Sequence, residues 1–267
     1  RGAGRGQAAG EAGMVTGLDT FRRFFAGHND SYVLIGGAAC DVWFSQAGIR
    51  YRSTKDFDVV LCVEVVDTAF AERFAAFLEA GGYKVRATAE QDRKFFRFEN
   101  PTDKSFPEML ELFSRPPATL TLPASDRYVR LNVADAILSL SALLLDDHYY
   151  EALKSGGQVV DGVSILGPEL LIAFKARAFL DLTARRANGE NVDSADIRKH
   201  RNDVFRLIQL LRADGGFRLA KPIFEDLRRF IAAMATDGVN PPDFQVQMTR
   251  DEGLNILRRV YSLRAGQ

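Results

Sequence analysis

The period of the apolar residues changes at Gly167-Pro168. Upstream, short β-branched runs are punctuated by glycines; downstream, apolar residues recur at helical spacing to the end of the chain. A 267-residue chain is long enough for one large domain or two smaller ones. The change of period predicts a sheet-bearing part followed by a helical part, with boundaries at 14–165 and 166–267.

The upstream elements follow from local pattern. Leu18 to Phe25 has helical spacing and is stopped by Gly27-His28-Asn29-Asp30. Tyr32-Val33-Leu34-Ile35 reads as a buried strand ended by Gly36-Gly37, and Ala38 to Ala47 as a helix. A second strand is expected over Asp58 to Val63, then a helix over Thr68 to Ala80 closed by Gly81-Gly82. Tyr83 to Ala87, Lys94 to Phe98 and Met109 to Phe113 read as further strands, giving a mixed α/β or α+β domain with helices on the sheet. Between Pro116 and Ile165 short β-like stretches alternate with a helix, and Gly156-Gly157 reads as a turn between Tyr149–Leu153 and Val159-Val160. Four helices are expected after it: Glu169 to Arg185, Ser194 to Leu211, Pro222 to Ala235 and Arg250 to Arg264.

Composition removes several classes of function. Thirty-five basic and 35 acidic residues cancel, so no global positive field exists to hold a polyanion. Cys40 and Cys62, the two cysteines, lie in no ligand cluster, which argues against a disulfide scaffold or structural zinc. No apolar run approaches the ~18 residues of a membrane span. Residues 1–13 are rich in glycine, alanine and charge without an apolar core, which predicts a disordered leader and not a secretory signal. The expected setting is cytoplasmic.

The chemistry concentrates in Arg52-Ser53-Thr54-Lys55-Asp56-Phe57-Asp58-Val59-Val60-Leu61. On a strand, Asp56 and Asp58 share a face, about 7 Å apart, while Lys55, Phe57 and Val59 take the other. Two neighbouring carboxylates repel, and a divalent cation such as Mg²⁺ removes the repulsion. As plain structure, Asp-x-Asp is a common loop tripeptide; its position on a strand gives it weight. Glu111 alternates with Leu110 and Leu112 on another strand, and charges so placed are usually paired or metal-bound unless their sheet face is open to water. Gly36-Gly37 is either a tight turn or a place where backbone amides at a helix N-terminus approach a phosphate.

On these residues the chain resembles the nucleotidyltransferase superfamily related to DNA polymerase β. Its pattern of Gly-Gly after a first strand, Asp-h-Asp on the second and a carboxylate on a later strand is met by Gly36-Gly37, Asp56-Phe57-Asp58 and Glu111. Within it, Arg52-Ser53-Thr54-Lys55-Asp56-Phe57-Asp58 is similar to the run of the AbiEii-type branch, the toxin-like enzymes of bacterial toxin–antitoxin and phage-defence systems. That branch also carries a lysine helix and a later Lys/Asp helix, matched by Leu170 to Ala178 with Lys175 and by Lys199 to Leu207 with Asp203. Glu111 stands where aspartate is more usual, and Ala38-Ala39 follows the glycines where some relatives have a hydroxyl.

The resemblance, which spans Tyr32 to Leu211, implies an α+β fold: an N-terminal nucleotidyltransferase mixed sheet with flanking helices, then a helical domain. It implies transfer of an NMP from an NTP, with two Mg²⁺ ions held by Asp56, Asp58 and Glu111. Gly36, Gly37, Arg52, Lys175, Lys199 and, last because of its opposite strand face, Lys55 would hold the nucleotide. Asp203 would act beside the acceptor as base or orienter. The implied acceptor is a tRNA 3′ end or a protein hydroxyl, and a cognate antitoxin is an implied partner. The alternatives are adenylyl transfer to a small aminoglycoside-like molecule and a catalytically silent binding protein. As plain structure, Lys175 is a lysine snorkelling from an apolar helix, and Lys199 with Asp203 an ordinary surface ion pair. Arg22-Arg23, Arg185-Arg186, Arg198 to Arg201 and Arg228-Arg229 could form a tRNA patch or merely solvated helix faces.

Overall fold

A computed structural model describes residues 15–51, 56–61, 68–87, 96–113, 119–120, 131–132, 146–212 and 216–263. The leader, Arg52, Lys55 and Cys62 lie outside these residues, as do the side chains of Asp56 and Leu61. The sheet part runs α1 (Leu18–Phe24), β1 (Tyr32–Ile35), α2 (Gly36–Gln46), β2 (Asp56–Leu61), α3 (Thr68–Gly81), β3 (Lys84–Ala87), β4 (Phe96–Glu99) and β5 (Met109–Phe113). Short strands β6 (Thr119–Leu120) and β7 (Leu131–Asn132) pair with each other. Then come α4 (Asp147–Gly156), β8 (Gly157–Val160) and β9 (Val163–Leu166). The helices α5 (Pro168–Ala187), α6 (Ser194–Ile208), α7 (Lys221–Met234) and α8 (Arg250–Val260) follow, with a 3-10 turn at Pro241–Phe244.

The main sheet has seven strands in the order β3-β4-β5-β2-β1-β9-β8. It is mixed: β1 runs antiparallel to β2 and parallel to β9, while β2 runs parallel to β5. The fold is α+β. One face is closed by phenylalanines from α1 and α3. Phe21 meets Phe57 of β2 at 5.5 Å and Phe77 of α3 at 5.7 Å, and Phe74 of α3 meets Phe98 of β4 at 5.8 Å. Each ring buried here contributes about 2–3 kcal/mol, so this face sets which way β2 presents its alternate residues. With Phe57 and Val59 fixed in that layer, Asp58 must face the other side.

Several elements differ from the sequence pattern: β2 begins at Asp56 and not at Asp58, and α2 begins at Gly36 and not at Ala38. Tyr149 to Leu153 belongs to α4, which runs into β8 at Gly156-Gly157 without an intervening hairpin; the tight turn lies one strand later, at Asp161-Gly162, where both residues have positive φ. Leu153 falls one helical turn after Tyr149 and Tyr150, and all three are buried. Asp146 caps α4 by accepting from the backbone N–H of His148 and Tyr149, a local signal that outweighs the β propensity of the two tyrosines.

Candidate functional site

β2 and β5 run parallel in a register that sets Asp58 directly beside Glu111. Their side chains share a face, close enough for the two carboxyl groups to interact directly. Burial, and then the negative charge of Glu111, push the Asp58 carboxyl up to about 7; the ammonium groups of Lys175 and Lys199 pull it partly back. Two acids thus meet on adjacent strands, with two lysines from the helical part in electrostatic reach.

Above this pair, β1 ends at Ile35, opposite Asp58, and α2 starts at once with Gly36. Gly36 has φ +65°, and a Cβ there would fall on the Asp58 Oδ2. Only glycine meets both conditions, so its purpose is to let the carboxyl lie against the first turn of α2. Gly37 is buried in that same turn. The N-terminus of an eleven-residue helix therefore sits beside the carboxyl pair. Asp56 lies on the same strand, two residues before Asp58 and in register with Met109. Among the described residues, no group of three or more His, Cys, Asp or Glu is gathered as a metal site.

The helical part brings Lys175 from α5 and Lys199 and Asp203 from α6. Lys175 does not snorkel: it is 6% exposed, and its Nζ lies 3.3 Å from Asp203 Oδ2. Asp203 is fully buried, so it is no member of a surface ion pair. Arg206 donates from Nη1 to Asp203 Oδ1 at 3.0 Å. Lys199 is exposed. The structure thus brings Gly36, Gly37, Asp58, Glu111, Lys175 and Lys199 to one place, with Asp203 behind Lys175.

Trp43 is half-buried and donates its indole N–H to the carbonyl of Leu166 at 2.9 Å. Five arginines of the basic clusters pair with acids of the same chain. Arg22 pairs with Asp19 and Asp161, Arg185 with Glu190, Arg201 with Asp237, Arg228 with Glu225 and Arg229 with Asp226.

Sequence reasoning missed Arg206 and a second buried cluster around Asp226. Asp226 Oδ2 accepts from the Tyr149 hydroxyl at 3.0 Å and from Arg177 Nη1 at 2.7 Å, and Oδ1 accepts from Arg229 Nη1 at 3.3 Å. The signal was present. Asp203 falls on the stripe of Leu207 and Ile208, and Asp226 on that of Ile223, Leu227 and Phe230, so each is an acid inside an apolar helix face.

No protein-family model matches the chain, and no curated protein matches it. Two solved structures show a loose backbone likeness. One is an antigenic nucleotidyltransferase-like protein from Paracoccidioides brasiliensis, 16% identical, with a TM-score of 0.42 and 90% of each chain covered. The other is the antibiotic-resistance factor ANT(2'')-Ia in solution, 17% identical, with a TM-score of 0.32, covering 82% of this chain and 94% of that one.

Proposed function

We propose that the chain is a Mg²⁺-dependent nucleotidyltransferase that moves an NMP from an NTP to a hydroxyl acceptor. The observation that carries this reading is the Asp58–Glu111 pair lying against the glycine-started N-terminus of α2. Such a pair costs the fold stability unless a cation or a proton relieves it. Hard oxygen donors suit Mg²⁺, and helix N-terminal amides suit phosphate. The donor set therefore fits the ion: Asp58 and Glu111 would hold it, joined by Asp56 from the same strand. Bound there, Mg²⁺ would neutralise triphosphate charge and acidify the attacking hydroxyl.

The chain's own groups would do the rest. Gly36 and Gly37 leave the backbone bare for close approach of the phosphates. Lys175 and Lys199 would supply positive charge beside the carboxyls; Arg52 and, last, Lys55 lie outside the described residues and would add to it by the family resemblance. The acceptor oxygen bonds to the α-phosphorus, the α–β anhydride breaks, pyrophosphate leaves, and the hydroxyl proton passes to solvent. The acceptors implied by the family resemblance are a protein hydroxyl and a tRNA 3′ end.

The test is incubation of purified protein with each α-labelled NTP, with and without Mg²⁺, against total tRNA, cell protein and a hydroxylated amine such as an aminoglycoside. Label in one acceptor class that requires Mg²⁺ and disappears with Asp58→Asn supports the proposal. Equal labelling by the variant refutes it. A toxin role, which rests on the resemblance to the AbiEii-type branch, predicts growth arrest on expression in bacteria that Asp58→Asn abolishes.

A further inference from the structure

Lys175 and Asp203 alone would make a neutral pair, and a neutral pair exerts little pull on a phosphate. Arg206 changes that balance. It stands one turn along α6 from Asp203 and occupies Oδ1, while Lys175 occupies Oδ2. Two cations thus share one buried anion, and the trio carries net positive charge beside the Asp58–Glu111 pair. Arg206 is itself held from behind: its guanidinium carbon lies 5.1 Å from the centre of the Phe244 ring, in the 3-10 turn at Pro241–Phe244. A guanidinium on an aromatic face is attracted to the ring and loses freedom to turn away.

We propose that Arg206, stacked on Phe244, is a positioning residue that fixes the Asp203 carboxylate and so leaves the Lys175 ammonium available to the triphosphate. Asp203 is then the link and not a base: fully buried, with a cation on each oxygen, it has no route to an acceptor proton. Without Arg206, Asp203 turns its whole charge on Lys175 and withdraws the ammonium from the nucleotide. This inference rests on the nucleotide site proposed above, and it extends that site to a second row of residues reaching the 3-10 turn.

The test is a double-mutant cycle read on nucleotide affinity, using ATP in Mg²⁺ without acceptor. Arg206→Gln should weaken ATP binding about tenfold, the scale of a lost charged hydrogen bond. Arg206→Lys should restore most of the affinity, and Phe244→Leu should weaken binding by a few-fold. In the Lys175→Met background Arg206→Gln should cost nothing further, whereas a purely structural role would cost the same in both backgrounds. A second readout is the Nζ resonance of Lys175 in lysine-¹⁵N-labelled protein. It should shift with Arg206→Gln and return toward the wild-type position with Arg206→Lys. An additive cycle, or an unmoved Nζ resonance, overturns the proposal. If the wild-type protein binds no nucleotide, the nucleotide reading fails and takes the role toward the triphosphate with it; the Nζ resonance still decides whether Arg206 positions Lys175.

Discussion

In the sheet half, the Asp58 carboxyl meets another acid; in the helical half, Asp226 and Asp203 each meet cations. Asp226 joins α4, α5 and α7 through Tyr149, Arg177 and Arg229. Asp203 joins α5 and α6 through Lys175 and Arg206. Both buried charges are compensated within the fold, as a carboxylate kept for structure must be. Asp58 has a neighbour of its own sign, Glu111, and among the described residues Lys175 and Lys199 draw its carboxyl partly back toward the ionised form. The difference separates acids matched by cations inside the fold from one held against another acid, and the second kind is where a functional site is sought.

The largest effect that would sharpen this contrast is on activity. Asp58→Asn should reduce nucleotide transfer by about a thousandfold or more while leaving the thermal midpoint unchanged or higher, because it removes a repulsion. Activity assays and calorimetry on the same preparation would show it. Asp226→Ala should do the reverse. It strands Arg177 and the Tyr149 hydroxyl and should cost about 3 kcal/mol in urea unfolding, with the nucleotide affinity of the folded fraction unchanged.

A smaller effect concerns pH. The Asp58 carboxyl is raised in the folded state, so the native protein holds a proton that the unfolded chain has released. Stability therefore falls as pH rises from about 4 through about 7, and is fully present only below the unfolded value. Asp58→Asn should flatten that slope, and Mg²⁺ should offset the loss above pH 7; unfolding midpoints across that range would check both. Gly36→Ala should cost about 1–2 kcal/mol from its left-handed backbone and should damage activity further by displacing the Asp58 carboxyl. Arg228→Gln, at an exposed pair with Glu225, should change stability by less than about 0.5 kcal/mol.

The contrast was only half legible in the sequence. Alternation along Asp56-Phe57-Asp58 and Leu110-Glu111-Leu112 is enough to place acids on one sheet face, because period two admits no other arrangement once the phenylalanines are buried. Gly36-Gly37 was legible as a break, but its reason, the carboxyl lying against it, depends on the pairing of Ile35 with Asp58, far apart in sequence. Lys175 was visible as a charge in an apolar helix, yet its partner sits on another helix and no local pattern names it. Arg206 went unnoticed because an Asp and an Arg three apart are an everyday surface pair. The helix that holds Tyr149 to Leu153 was legible only as one element within a longer stretch, because its cap at Asp146 is local but the partner of Tyr149, Asp226, is far along the chain.

The central claim is that the Asp58–Glu111 pair, set against the start of α2, is a site for Mg²⁺ with a triphosphate. Thermal unfolding of wild type and Asp58→Asn at pH 8, with and without Mg²⁺ and ATP together, tests it most directly. The predicted result is a concentration-dependent rise in the wild-type midpoint that needs both Mg²⁺ and ATP and vanishes in the variant. Equal rises in the two proteins, or none in the wild type at millimolar ligand, would contradict it.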